Sequence, residues 1–155
     1  MTSQTATHDH DQCIDDALDA AGDICLRRGA RLTVLRRRVL ELVWAGHAAV
    51  KAYDLLAQLG GGTKPPTIYR ALDFLVAHGL VHKLESLNAY VGCPRPHNAH
   101  EGQFLICNGC GTVDEIDAPA LNSQLAECAM AAGFAPQRQT VEVHGLCAGC
   151  AEGGR

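Results

Sequence analysis

The chain has 155 residues, 47% of them apolar, and a formal net charge of −4. That length suits one domain or two small ones with real cores. No apolar run approaches the roughly 18 residues of a membrane helix and no signal segment opens the chain, so a cytoplasmic protein without membrane contact is expected. In a reducing compartment its eight cysteines point to metal or redox chemistry rather than disulfides.

The net charge argues against nucleic-acid binding, but its distribution reverses that. Residues 24–84 hold ten basic residues (Arg27, Arg28, Arg31, Arg36, Arg37, Arg38, Lys51, Lys64, Arg70 and Lys83) against three acids, Glu41, Asp54 and Asp73. Residues 1–23 carry six Asp and no Lys or Arg, and residues 85–155 carry three Arg against eight acids. One basic segment between acidic ones suits phosphate contact by one module and other work by the rest.

Residues 1–12 are polar and are expected to form a disordered tail, in which His8 and His10 read as passive. Residues 13–28 fit a helix, with Ile14, Leu18, Ala21 and Cys25 on one face. That puts Cys25 in the core and leaves Cys13 as a surface thiol. Gly29 ends the helix, and Thr33 is a plausible N-cap for the next, whose buried stripe is Leu35, Val39, Leu42 and Val43. Arg36, Arg37 and Arg38 surround that stripe. They form either a solvated basic face or a phosphate contact.

Gly46 breaks the pattern. Residues 52–59 form a short helix burying Leu55, Leu56 and Leu59, with Tyr53 at its start for phosphate contact or for packing. Gly60-Gly61-Gly62 is a turn, and Thr63-Lys64-Pro65-Pro66 opens the next helix, where proline is tolerated. That helix, residues 66–78, buries Ile68, Leu72, Leu75 and Val76 and shows Thr67, Tyr69, Arg70 and Asp73. Helix, glycine turn, helix is the helix-turn-helix arrangement, whose second helix enters the major groove by its N-terminal end. Arg there can bond bidentately to guanine, and Tyr or Thr can touch phosphate or a thymine methyl. The candidate DNA-contacting set is therefore Arg36, Tyr53, Lys64, Thr67, Tyr69 and Arg70. Residues 80–85 and 89–92 read as the two strands of a wing.

Residues 93–101, with two prolines, read as a hinge. Beyond it, strands are expected at 103–106, 112–116 and 137–144. A helix at 119–132 is expected to turn Leu121, Leu125 and Cys128 inward. The fold class is thus α/β (α+β): a winged-helix DNA-binding domain over 13–92, the hinge, and a small α/β domain over 102–155. The second is too small to bury its sheet alone and is expected to dimerise.

Cys107-Asn-Gly-Cys110 and Cys147-Ala-Gly-Cys150 are two Cys-x-x-Cys pairs separated by 36 residues, room for a strand-helix-strand unit that brings them together. Four thiols close a tetrahedral Zn²⁺ site, which would be structural because it keeps no open position. His82, Cys93, His100 and Glu115 form a second, mixed N/S/O set suited to Zn²⁺.

Several stretches together resemble the ferric uptake regulator (Fur) family, most closely its zinc uptake regulator branch. They are Arg31-Leu-Thr33, Ala52-Tyr-Asp-Leu-Leu56, Lys64-Pro-Pro-Thr-Ile-Tyr-Arg-Ala-Leu-Asp-Phe-Leu75, Val81-His-Lys83, Phe104-x-x-Cys-x-x-Cys-Gly111 and His144-Gly-Leu-Cys-Ala-Gly-Cys150. The resemblance covers nearly all of residues 15–151. It implies a winged helix, a hinge, a C-terminal dimerisation domain, a structural zinc on Cys107, Cys110, Cys147 and Cys150, and a regulatory zinc at His82, Cys93, His100 and Glu115. It departs from the family at Val34-Leu35, where Pro-Gln is usual. It departs again at Gln139, where relatives with a third metal site have histidine. That leaves His97 and Glu101 as unpaired hinge residues, with His144 in a supporting role. The implied function is that of a homodimeric, zinc-responsive repressor of zinc-uptake genes. It would bind two Zn²⁺ per chain and palindromic double-stranded operator DNA, and would have no small-molecule substrate. The alternatives are an iron- or peroxide-responsive member of the family, or a zinc or thiol redox enzyme. The hydrolytic His-Glu-x-x-His and the zinc-deaminase signature are both absent.

Overall fold

The computed structural model of the chain describes residues 10–46 and 48–153. His8 lies outside them. Helix α1 (His10–Arg27) begins three residues earlier than its apolar period indicates, taking in part of the presumed tail. Leu18, Ala21 and Cys25 are buried on one face, as expected, and Ile14 packs at the edge of the same core. Thr33 caps α2 (Val34–Trp44) by accepting the Arg36 backbone N–H, so Val34 in place of proline leaves the cap intact. Helix α3 (Ala52–Leu59) stops at Gly60, whose φ of 79° a side chain would resist. Helix α4 (Pro65–Ala77) opens on its two prolines and buries Ile68, Ala71, Leu72 and Leu75.

The wing is an antiparallel hairpin of β1 (Val81–Leu84) and β2 (Ala89–Gly92), with His82 opposite Val91. A bridge between Val50 and Tyr90 ties it to the chain before α3. Gly92 is dictated by packing: a Cβ there would stand 2.3 Å from the Trp44 ring.

The chain divides into two units between His97 and Asn98, inside the expected hinge. The second unit holds β3 (Gly102–Cys107), β4 (Val113–Glu115), α5 (Pro119–Ala131), β5 (Thr140–Gly145) and a short α6 (Ala148–Glu152). Its sheet has the order β4-β3-β5, with β4 antiparallel and β5 parallel to the central strand. Strand β5 starts three residues later than its alternation suggests, and α6 carried no recognisable period. One face of β3 buries Phe104 and Ile106, while Leu105 is 41% exposed.

Two expectations fail here. Helix α5 has no buried residue: Leu125 is 41% exposed and Cys128 is exposed, not core. The apolar spacing is real, but a three-stranded sheet in a single chain offers that helix too little surface. Gln103, by contrast, is a polar residue at 1% exposure. Its amide donates to the Ala118 carbonyl and to Asn122 Oδ1, and its oxygen accepts the Ala118 N–H. This clamp takes the place of a side-chain cap at the start of α5, which has none.

Candidate metal centres and nucleic-acid face

The four paired cysteines meet at one end of the second unit's sheet. Strand β3 ends at Cys107, whose N–H donates to the Thr112 carbonyl, and Gly111 returns a bond to the Cys107 carbonyl in the tight turn. Asn108 N–H donates to the Gly145 carbonyl at 2.7 Å, holding that turn to the end of β5, after which the chain reaches Cys147. The sulfurs of Cys107, Cys110, Cys147 and Cys150 all lie within 4.8 Å of one another. Cys110 and Cys147 sulfurs are 3.8 Å apart. That is far from a disulfide, and it matches the roughly 3.8 Å edge of a tetrahedron with Zn–S near 2.3 Å. The cradle is shaped for the fourth thiol: a Cβ on Gly109 would stand 2.8 Å from Cys150 Sγ.

Electrostatics separate the four thiols. The Cys147 backbone N–H, together with that of Cys110, holds Cys107 down at about 6, and the Thr112 hydroxyl and N–H lower Cys110. Cys150 is pushed up to about 12 by the neighbouring sulfurs of Cys147, Cys107 and Cys110. Four anionic sulfurs at this spacing repel one another, and a divalent cation of borderline softness is the charge that reconciles them. The residues fit Zn²⁺. His144 stands beside the cluster, with Nδ1 3.4 Å from Asn108 Oδ1.

The other four candidate ligands fall in two pairs, one in each unit. In the first unit, His82 lies on β1 and Cys93 follows β2, with the Cys93 N–H donating to the Leu80 carbonyl. His82 faces Val91, so Cys93 two residues on shares its side of the hairpin, on the diagonal. Cys93 is 2% exposed. In the second unit, His100 Nε2 and Glu115 Oε1 are 2.5 Å apart, and Glu115 is almost fully buried. His100 Nδ1–H donates to the Asn98 carbonyl at 2.6 Å, which turns Nε2 toward the carboxylate. A proton or a cation on that nitrogen satisfies the arrangement, and a carbonyl behind a ligating imidazole is its usual support.

His97 is not an unpaired hinge residue: Arg27 Nη2 reaches its Nδ1 at 2.8 Å. Glu101 and Gln139 are half-buried, and each carries one buried oxygen without a hydrogen-bond partner.

On the first unit, Lys64 precedes α4, and Thr67, Tyr69 and Arg70 are exposed on its first two turns with no acid in the first turn. Tyr53, at the start of α3, is 79% exposed, so packing does not account for it. Arg37 and Arg38 are exposed and share Glu41. Arg36 differs: its guanidinium carbon lies 3.5 Å from the centre of the Phe74 ring, and Nη1 donates to the Arg31 carbonyl at 2.6 Å.

A winged helix whose second helix exposes Thr67, Tyr69 and Arg70, joined in one chain to four converging thiols that suit a metal, has the anatomy of a metal-dependent DNA-binding regulator. The ferric uptake regulator family model matches residues 27–144, and the chain belongs to that family. It is 43% identical over 141 residues to the zinc uptake regulation protein of Escherichia coli strain K12, covering 88% of this chain and 82% of that protein. Among solved structures it is similar to holo XcZur, with 49% identity and a TM-score of 0.82 over 87% of this chain and 96% of that one. It is also similar to a zinc uptake regulator complexed with zinc and DNA, with 41% identity and a TM-score of 0.85 over 90% and 95%.

Proposed function

We propose that the chain is a zinc-responsive, homodimeric transcriptional repressor that binds palindromic operator DNA and controls zinc-uptake genes. The observation that carries this reading is its similarity, at 41% identity, to a regulator solved with both zinc and DNA. It acts in the cytoplasm on double-stranded DNA as a regulator and not as an enzyme, and four thiolates around one ion leave no open position for catalysis at that ion.

Each chain holds two Zn²⁺. Cys107, Cys110, Cys147 and Cys150 bind the structural ion. His82 and Cys93 from the first unit, with His100 and Glu115 from the second, bind the regulatory one. The Cys93 sulfur supports zinc over hard cations, and the Asn98 carbonyl that fixes the His100 tautomer supports its ligand role. Ligands drawn from both units make presentation of the reading helix depend on site occupancy. Metal and DNA then favour the same state, and each raises affinity for the other by the same factor. Lys64, Thr67, Tyr69 and Arg70, with Tyr53 beside them, meet the DNA. Arg70 is the base reader, and Arg70→Ala weakens operator binding by about 1–3 kcal/mol.

The test is DNA binding across a buffered free-Zn²⁺ series, with iron and manganese in parallel and metal stoichiometry recorded. Binding appears as a second zinc per chain fills. Indifference to zinc with a response to iron or manganese overturns the zinc assignment and keeps the fold. Cys93→Ser abolishes zinc-dependent DNA binding and leaves a folded dimer with one zinc per chain. Unfolding of that variant would mean the structural and regulatory roles are exchanged.

A further inference from the structure

We infer that Arg36 is a positioning residue for sequence reading: it acts on DNA through Phe74 and the rotation of α4, not by contacting phosphate. This rests on the DNA-reading role assigned to α4. Arg36 belongs to the basic run at the start of α2, where phosphate contact is the obvious reading. Its guanidinium is engaged inside the first unit instead. Its guanidinium carbon lies 3.5 Å from the centre of the Phe74 ring, and Nη1 donates to the Arg31 carbonyl. Its own N–H is held by the Thr33 cap. The next two arginines share Glu41 and carry no such contact to α4 among the bonds the structure shows.

Phe74 continues the stack to His78, with ring centroids 4.0 Å apart and planes at 29°. The His78 Nδ1–H donates back to the Phe74 carbonyl at 2.8 Å. Arg70, Phe74 and His78 are successive members of one i, i+4 row, so they share a stripe along α4. The stack therefore grips the C-terminal part of the stripe whose N-terminal member is the base reader. Buried Leu72 and Leu75 fix how deep α4 sits. Apolar contact is itself non-directional, so the stack adds a directional restraint to the packing that seats the helix. A planar cation on a planar ring, itself anchored by a carbonyl, is directional, and a few degrees of rotation re-aim a long Arg70 side chain. Lysine keeps the charge but has neither the plane nor the fork.

The test uses full-length, zinc-loaded protein. The probe is the duplex that the unsubstituted protein selects from a randomised pool, measured against a scrambled duplex over a salt series. Arg36→Lys and Phe74→Leu are each made with Arg70 intact and with Arg70→Ala. With Arg70 intact, each lowers the ratio of selected to scrambled affinity by about two- to thirtyfold, the range of a cation–π contact. The salt slope stays unchanged, and the loss disappears in the Arg70→Ala background. A loss that persists without Arg70 overturns the proposal in favour of a general folding role. Full discrimination by Arg36→Lys, with Arg36→Ala lowering the salt slope by about 0.9, overturns it in favour of one phosphate contact. If the unsubstituted protein selects no duplex, the DNA-reading assignment falls, and this role falls with it.

Discussion

The two units are stabilised by different physics. The first buries a continuous apolar cluster from Leu18 through Leu40, Leu55, Leu72 and Leu75 to Tyr90. The second keeps a narrow buried strip on β3 and β4, leaves α5 without a single buried residue, and exposes Val143, Met130 and Phe134 by half or more. It substitutes a polar clamp at Gln103 and a ring of thiols at the sheet end. A domain with so little core is the kind that a metal or a partner surface stabilises. The metal proposed for the four thiols would therefore act most on the folding of the unit with the smaller core.

That contrast predicts unequal responses. The largest follows from stripping the metal proposed for the four thiols, or from Cys110→Ser. Binding of a structural Zn²⁺ is worth on the order of 10 kcal/mol in small domains. Hydrogen exchange should show β3, β4 and β5 losing protection while α2 and α4 keep theirs, and simultaneous loss in both units would erase the contrast. Acid does the same more gradually. Protons compete with zinc for every thiolate, and Cys150, up at about 12, must release its proton to bind. Zinc affinity therefore rises with pH across the neutral range, and it falls most steeply below about 6, where Cys107 also protonates. Proton release on metal loading, measured in two buffers of different ionisation enthalpy, checks the sign.

Next in size is Leu72→Ala in the first unit. It removes a side chain with 0% exposure and should destabilise that unit by about 2–5 kcal/mol in denaturant melts, with metal content unchanged. Gln103→Leu should destabilise the second unit by roughly 1–3 kcal/mol, because the half-buried Ala118 N–H loses its acceptor. A neutral result there would show that the clamp contributes little beyond shape. Thr33→Ala is the smallest, about 1 kcal/mol from loss of the α2 cap, read as a shift in the first unit's melting alone.

Much of the first unit was legible because its helices advertise themselves. An apolar period of 3.6, a Thr cap and a Pro-Pro opening are local signals: the Thr33 cap fell on the observed boundary, and the starts of α1 and α4 fell within three residues of theirs. The second unit was less legible. The short alternation before His144 fits several registers, and pairing with β3 selected one that starts at Thr140. Leu125 and Cys128 have the spacing of a core stripe, yet spacing does not say whether anything lies opposite. The four thiols that converge could be named as candidate ligands from sequence, because a metal site demands ligand type before geometry.

The sequence by itself determined the types of the elements from α1 to β5, the exposed polar face of the reading helix, the candidate ligands of both proposed metal sites and the family, since all of these depend on residue identity and local period. Only the tertiary structure decided the Gly109 cradle that lets Cys150 approach, the Gln103 clamp and the seating of Trp44 on Gly92. It also decided that Arg36 lies on Phe74, 38 positions away. Each of these joins groups distant in the chain, where no local propensity operates and only close packing chooses the partner.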